Sequence, residues 1–358
     1  MAMAAVIVLG LNTEALSAVH YIPSMSGQLY HAVVDGDWVA WMEQFQGTLC
    51  SVYAHHLGTD ETGGVVVDDP TTPDVIEATA SFWDFASWHA QIDISDSTIV
   101  FADRRNWWTT GQLQIRTHNL DTGVETVVSP SFGSQNDFPV IDGNRVVWQY
   151  GSWRLYAART NGSGRQTLAY GQLLLGDVSG DIAIWRTVNG PGSNIVYRNL
   201  ATGASGIAFR STSDQDPRPP AIDGNIIAWS MRDLTTGENI VSIMAYDIAT
   251  RELITVKDHT GSPEHRSMIA VSGDWVVWED WRAGNEDIYA YNLSTHEEVA
   301  IATGPMRQLG PSISGDVVVW SEPEFGRIGW ARLSESPEPS AMAVMVVGVT
   351  LCWARRRA

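Results

Sequence analysis

The sequence predicts an all-β chain: a β-propeller of seven four-stranded blades, with six as the alternative count, closed into a ring by an N-terminal strand. Three observations carry this expectation. A Gly-Asp or Gly-Asn turn followed by a short apolar run ending on an aromatic recurs along the chain, with the aromatic at Trp41, Phe101, Trp148, Trp185, Trp229, Trp278 and Trp320. Successive aromatics lie 60, 47, 37, 44, 49 and 42 residues apart, and periods in the forties mark four-stranded propeller blades. From Val19 to Leu333 there are 315 residues, which is 45 per unit for seven blades and 52.5 for six, where a blade takes roughly 40 to 45.

Each unit reads as two hairpins. Pro311 to Ser314 leads into Gly315-Asp316 and then Val317 to Trp320, and a two-residue Gly-Asp connection supplies the positive φ that a tight antiparallel turn needs. In the preceding copy Asp287 to Leu293 alternates in and out, Ser294-Thr295-His296 turns, and Glu298 to Ala302 returns as a fourth strand. Apolar runs such as Trp275 to Trp278 are nearly continuous, so these strands should be covered on both faces, as stacked blades require. The last unit offers only Gly326 to Leu333 after its aromatic. The stretch from Val19 to Leu29 is therefore expected to supply the missing strand and remove the open sheet edges.

The fullest copy, Ser272 to Leu293, contains a Gly-Asp turn, a Val-Val-Trp strand, an Asp-x-Arg-x-Gly loop and an Ile-Tyr-x-Tyr strand. It resembles the TolB-like β-propeller repeat. Asp223-Gly224-Asn225 with Trp229 and Tyr246-Asp247 is the next best copy, and the fourth, around Ser179-Gly180-Asp181 and Trp185, lacks the Asp-x-Arg step. The resemblance implies a fold and little about activity.

Both chain ends read as signals. Residues 1–18 hold the apolar run Ala4 to Leu11 followed by small residues at Ala15, Ser17 and Ala18, which suits an export signal cleaved near Ala18, although no Lys or Arg precedes the run. The propeller is assigned to residues 19–333. In 334–358, Pro337-Glu338-Pro339 precedes the uncharged run Ala341 to Trp353 and then Arg355-Arg356-Arg357. That order resembles the PEP-CTERM sorting signal of bacterial envelope proteins. The resemblance implies export, a transient inner-membrane stop and processing by an exosortase-type enzyme. The 13-residue run is shorter than the ~20 apolar residues a spanning helix needs, and the basic tail is expected to stay cytoplasmic.

Composition narrows the function. A formal charge of −19 disfavours nucleic acid, whose phosphates require clustered Lys and Arg. The two cysteines, Cys50 and Cys352, leave no internal disulfide once the C-terminal segment is removed. No Gly-x-Ser-x-Gly, His-Glu-x-x-His, P-loop or Cys-x-x-Cys motif occurs, and His55, His56, His89, His118, His259 and His265 are too scattered to argue for a catalytic centre. No catalytic residue, cofactor or dedicated metal site is assigned.

Three loop features are candidates for binding. Asp103-Arg104-Arg105 and Asp280-Trp281-Arg282 follow anchor aromatics; repeated rim carboxylates could hold Ca²⁺, while the alternative is that each Asp pairs with a nearby Arg or caps a turn. An insertion at Thr59 to Asp93, rich in Asp and Pro, maps to one rim. Beyond the anchors, Trp83, Trp88, Trp107, Trp108 and Trp153 cluster in the first three units. They form either a stacking platform for sugars or a partner's side chains, or spacers between blades. The candidate ligand-binding set is thus Trp83, Trp88, Asp103, Arg105, Trp107, Trp108, Trp153, Asp280 and Arg282. The expected protein is an exported envelope or matrix module that binds polysaccharide or an envelope protein, with a polysaccharide-active lyase or hydrolase as the alternative.

Overall fold

A computed structural model describes residues 19–23, 28–45, 49–57, 92–103, 113–129, 136–189, 192–235, 240–260 and 268–335. These form seven antiparallel sheets in a ring. β1 (His20–Pro23) leaves the N-terminal region for the last blade. Blade 1 holds β2 (Gln28–Asp35), β3 (Trp38–Phe45) and β4 (Leu49–His56), and blade 2 holds β5 (Ile92–Ser95), β6 (Thr98–Asp103), β7 (Gln114–Asn119) and β8 (Glu125–Val127). Blade 3 holds β9 (Asn136–Asp142), β10 (Arg145–Tyr150), β11 (Arg154–Arg159) and β12 (Gln166–Tyr170). Blade 4 holds β13 (Leu173–Ser179), β14 (Ile182–Asn189), β15 (Gly192–Asn199) and β16 (Ser205–Arg210). In blade 5 the innermost strand is split into β17 (Gln215–Pro217) and β18 (Ala221–Asp223), followed by β19 (Ile226–Asp233), β20 (Ile240–Asp247) and β21 (Glu252–Thr260). Blade 6 holds β22 (Ile269–Ser272), β23 (Trp275–Asp280), β24 (Asp287–Asn292) and β25 (Glu298–Ala302), and blade 7 holds β26 (Leu309–Ser314), β27 (Val317–Glu322) and β28 (Arg327–Arg332).

The ring closes as the sequence predicts, by a four-residue strand. β1 pairs antiparallel with β28, His20 opposite Trp330 and Ile22 opposite Ile328, and the His20 and Trp330 rings stack at 4.3 Å. Gln28 and Leu29, grouped with this strand in the sequence reading, instead begin β2. The reason is apolar spacing: Leu29, Ala32 and Val34 are buried against Val317 and Val319 in the seam between blades 7 and 1.

Seven apolar clusters fill the seven seams, and each anchor aromatic enters the seam with the preceding blade: Trp41 beside Val317, Phe101 beside Val52, Trp148 beside Val100, Trp185 beside Leu155. Trp229 packs beside Ile195, Trp278 beside Ile243 and Trp320 beside Ile288. All seven are at most 5% exposed. Burial of this kind contributes roughly 2–3 kcal/mol per large side chain, so stability is distributed around the ring and each blade depends on its neighbours.

The tight turns after the innermost strands do more than reverse the chain. Their first residue has φ between 50° and 59°, and it is glycine in six blades and Asp96 in blade 2. Its N–H points at the side chain that precedes the turn of the blade before. Ser314 accepts from Gly36 at 3.0 Å, Asp35 from Asp96 at 2.6 Å, Ser95 from Gly143 at 2.9 Å and Asp142 from Gly180 at 2.5 Å. Ser179 accepts from Gly224 at 3.0 Å, Asp223 from Gly273 at 2.7 Å and Ser272 from Gly315 at 3.0 Å. An unbroken circle of hydrogen bonds thus ties all seven blades at one face, here the turn face. Among the described residues, the opposite face carries loops between second and third strands, such as 151–153, and links between blades, such as 171–172.

Candidate functional site at the axial channel

The innermost strands enclose an axial cavity of about 450 Å³. Because side chains alternate along a strand, the residues two before the turn-face acceptors also point to the axis. Asp93 and Asp177 occupy that second layer. Asp93 accepts N–H bonds from Ile94 at 2.9 Å and Ile141 at 2.8 Å, and Asp177 from Val178 at 2.7 Å and Ile222 at 3.2 Å. Burial pushes both carboxyls up: Asp93, next to the charge of Asp177, well above the ordinary carboxylate range, and Asp177 to about 7, with Asp142 and Asp223 adding to the rise.

In blade 7 the equivalent residue is Ser312, whose Oγ accepts the Val34 N–H at 3.2 Å. The repeat thus supplies a neutral replacement. Asp177 is expected to cost stability as pH rises from about 4 to about 7, since the folded chain holds a proton that the unfolded chain gives up near 3.8. Its carboxylate faces a solvent-accessible cavity, which limits the penalty to about 1–2 kcal/mol. Asp177→Ser should flatten that pH dependence and stabilise the protein above about pH 7, as read by urea titrations across pH. An unchanged pH profile would show that Asp177 ionises normally in the fold.

Toward the loop-bearing face the innermost strands lose their regularity. Register shifts fall at Tyr30/Ala32, near Phe138, between Leu175 and Val178, and between Leu309 and Ser312. His31 (φ 41°) and Phe138 (φ 52°) are held in the left-handed region that bulky residues rarely adopt, and both line the cavity. Burial pulls the His31 pKa down to about 4 against the pull of Glu279, so the imidazole is neutral at pH 7. Glu279 links blades 6 and 7, accepting from Gly310 N–H at 2.6 Å and Met268 N–H at 3.3 Å.

Across the channel from blade 1, blades 4 and 5 bring arginines together. Arg186, the residue after the anchor Trp185, donates to Asp216 at 2.7 Å and to Ser193 at 3.0 Å. Arg218 lies 3.1 Å and Arg232 4.0 Å from the same carboxylate. Three prolines, Pro217, Pro219 and Pro220, surround Arg218 and interrupt the inner ladder between β17 and β18. Only a glycine fits opposite them, since a Cβ at Gly176 would lie 2.4 Å from the Pro220 carbonyl oxygen. Arg186 and Arg218 both line the cavity, as do Gln149 and Ser152.

Just outside Ser152, Trp153 is 64% and Tyr170 70% exposed. The two are neighbours, because Gly171 N–H donates to the Trp153 carbonyl at 3.0 Å, and the Arg154 guanidinium stands 5.6 Å from the Tyr170 ring centre. This aromatic shelf contains one of the candidates from the sequence. Trp83, Trp88, Arg105, Trp107 and Trp108 lie outside the described residues, as do Pro337, Glu338, Pro339, Arg355, Arg356 and Arg357.

Asp103 and Asp280 are sealed, at 2% and 0% exposure. Asp103 pairs with Arg116 of β7 at 2.6 Å. Asp280 accepts from the Trp278 indole at 3.0 Å, the Arg282 backbone at 2.8 Å and the Arg282 guanidinium at 2.5 Å. Both carboxylates are thus engaged within their blades. Among the described residues no group of three or more His, Cys, Asp or Glu is gathered that could hold a metal ion, and no helix is long and apolar enough to cross a membrane. His31, Arg186, Arg218 and Asp216 were not singled out from sequence. The available signals were Asp216-Pro217-Arg218-Pro219-Pro220 and an arginine directly after an anchor tryptophan.

No protein-family model and no curated protein matches the chain. Solved structures do. The β-propeller domain of the Trilobed protease from Pyrococcus furiosus, which has an open velcro topology, aligns with TM-score 0.58 at 12% identity over 89% of this chain and 99% of that one. Pyrococcus horikoshii acylaminoacyl peptidase aligns with TM-score 0.58 at 12% identity, covering 83% of this chain and 50% of that one. A Mycobacterium tuberculosis puromycin-hydrolyzing peptidase aligns with TM-score 0.56 at 14% identity, covering 89% and 57%. The chain spans about half the length of these two peptidases. At such identities the likeness is one of fold: this chain is a β-propeller of the kind that forms one domain in those enzymes.

Proposed function

We propose that this protein is an exported, TolB-like propeller that serves as a binding module of the cell envelope or extracellular matrix and takes polysaccharide on its loop-bearing face. One observation carries the reading: the two faces are unlike. The turn face is bound together by its circle of hydrogen bonds, whereas the other presents Trp153 and Tyr170 in solvent beside a cavity lined by Arg186 and Arg218. Exposed aromatics next to donor-rich pockets suit sugar rings, which offer an apolar face and polar edges. The C-terminal segment acts as a PEP-CTERM signal, holding the chain briefly at the inner membrane until an exosortase-type enzyme removes it.

Retention of the protein on immobilised polysaccharides, with mass spectrometry of the supernatant, tests this. Binding without new oligosaccharides is expected. Trp153→Ala and Tyr170→Ala are each expected to weaken retention about tenfold, as buried aromatic contacts at interfaces do. Retention unaffected by both substitutions would move the binding surface elsewhere. A second reading, a lyase or hydrolase, draws on the neutral His31 lining the same cavity as Arg218. Release of products, abolished in His31→Gln, would establish it instead.

A further inference from the structure

The distribution of charge along the channel narrows the ligand. The chain carries a formal −19, and the inner layers below the mouth present Asp93 and Asp177, then Asp35, Asp142 and Asp223, among the lining residues. At the loop-bearing end the lining includes two cationic side chains, Arg186 and Arg218, held against Asp216. A guanidinium offers five donors in a planar fork that matches a carboxylate bidentately. Here the forks are set in advance. Arg186 is 9% exposed and oriented by Ser193 and Asp216. Arg218 sits in a proline-framed break whose backbone N–H is fixed to the Ser230 carbonyl at 2.8 Å. Preorganised donors recognise anions more strongly than mobile surface arginines do.

From this arrangement we infer that the arginine side of the channel mouth is a carboxylate subsite, which takes the acidic end residue of a uronate-bearing sugar chain whose next rings lie on Trp153 and Tyr170. The inference rests on the polysaccharide-binding reading above and adds to it the acidic residue and the end-on mode. End-on entry follows from electrostatics: an anionic polymer threaded further would meet the acidic turn-face layer of Asp35, Asp142 and Asp223, and one laid across the body would meet a strongly negative surface. A single acidic residue at the arginines satisfies both constraints.

Calorimetric titration of the full chain with a tetramer that carries a uronate only at its end, and with its carboxyl-reduced, neutral counterpart, tests the subsite. The acidic tetramer should bind at least about tenfold more tightly, and that preference should shrink as salt is raised. Arg218→Met should erase most of the preference by weakening the acidic tetramer far more than the neutral one, and Arg218→Lys should restore part of it. Circular dichroism and melting temperature confirm that each variant is folded, and the salt dependence of the unmodified protein keeps the test independent of any variant. Equal affinity for both tetramers, weakened alike by Trp153→Ala, would overturn the carboxylate subsite and leave carbohydrate binding standing. Absence of binding to either would overturn both.

Discussion

Arg282→Met is expected to lower the free energy of unfolding by about 3 kcal/mol, because it removes one partner of a buried ion pair and leaves the other behind. Asp280 is 0% exposed, and its Oδ2 is shared between the Trp278 indole at 3.0 Å and the Arg282 guanidinium at 2.5 Å. Arg282 also reaches Glu298 at 2.7 Å, which Lys257 of blade 5 meets at 2.8 Å. Burial works against the charge on Arg282, but hydrogen bonds to Asp280 and Glu298 outweigh it and push its pKa above the usual guanidinium range. Burial likewise opposes the charge on Glu298, yet the same two cations hold it below its ordinary 4.5. The part of the stability due to Glu298 is therefore present above that value and lost as pH falls through its lowered pKa. Methionine keeps an apolar stem over the Tyr289 ring, 4.0 Å from the guanidinium carbon, so the loss reports charge more than packing. Urea unfolding provides the measurement, and Asp280→Asn in the same chain should recover part of the loss. If the double variant is no better than Arg282→Met alone, an unbalanced carboxylate is not the cause.

Gly329→Ala is expected to cost about 3 kcal/mol and to lower the melting temperature by roughly 4–5 °C. Gly329 lies in the middle of β28, opposite Trp320 on one side and Tyr21 of the closing strand on the other. A Cβ there would fall 2.3 Å from the Trp320 ring. That indole cannot yield easily, since it is fully buried in the seam between blades 6 and 7 and donates to Glu322 at 3.1 Å. Gly206 offers the contrast: its Cβ would lie 2.2 Å from Tyr197, but Tyr197 is only partly buried and can swing toward solvent. Gly206→Ala should therefore cost less than about 1 kcal/mol. Calorimetry that ranked the two variants equally would show that Trp320 relaxes as freely as Tyr197.

Much of the architecture was legible because the repeat writes its own grammar. The turn glycines, the aromatic closing each second strand and the short last unit together implied seven blades and a borrowed strand, and the register of β1 on β28 agrees. The weak fourth copy is still a full blade, for Trp185 and Leu175 fill its seam as their counterparts do elsewhere. The site was less legible. Asp103 and Asp280 look like rim residues in sequence but lie inside their blades, paired with Arg116 and Arg282. Trp153 stands on the rim because it follows the channel-lining Ser152 in a turn that presents it to solvent.

By itself the sequence determined the order of the blades and favoured seven over six, since both follow from local periodicity and turn chemistry that each unit repeats. Tertiary structure alone decided the rest: the circle of turn hydrogen bonds, the aspartates stacked inside the channel, and the meeting of Arg186, Asp216 and Arg218 across a seam. These depend on which residues of different blades face one axis at the same height, and that height is set by register shifts and by the proline break in blade 5. A one-residue change of register turns a side chain from the axis to the opposite side of the strand, so only the folded ring shows which charges come together.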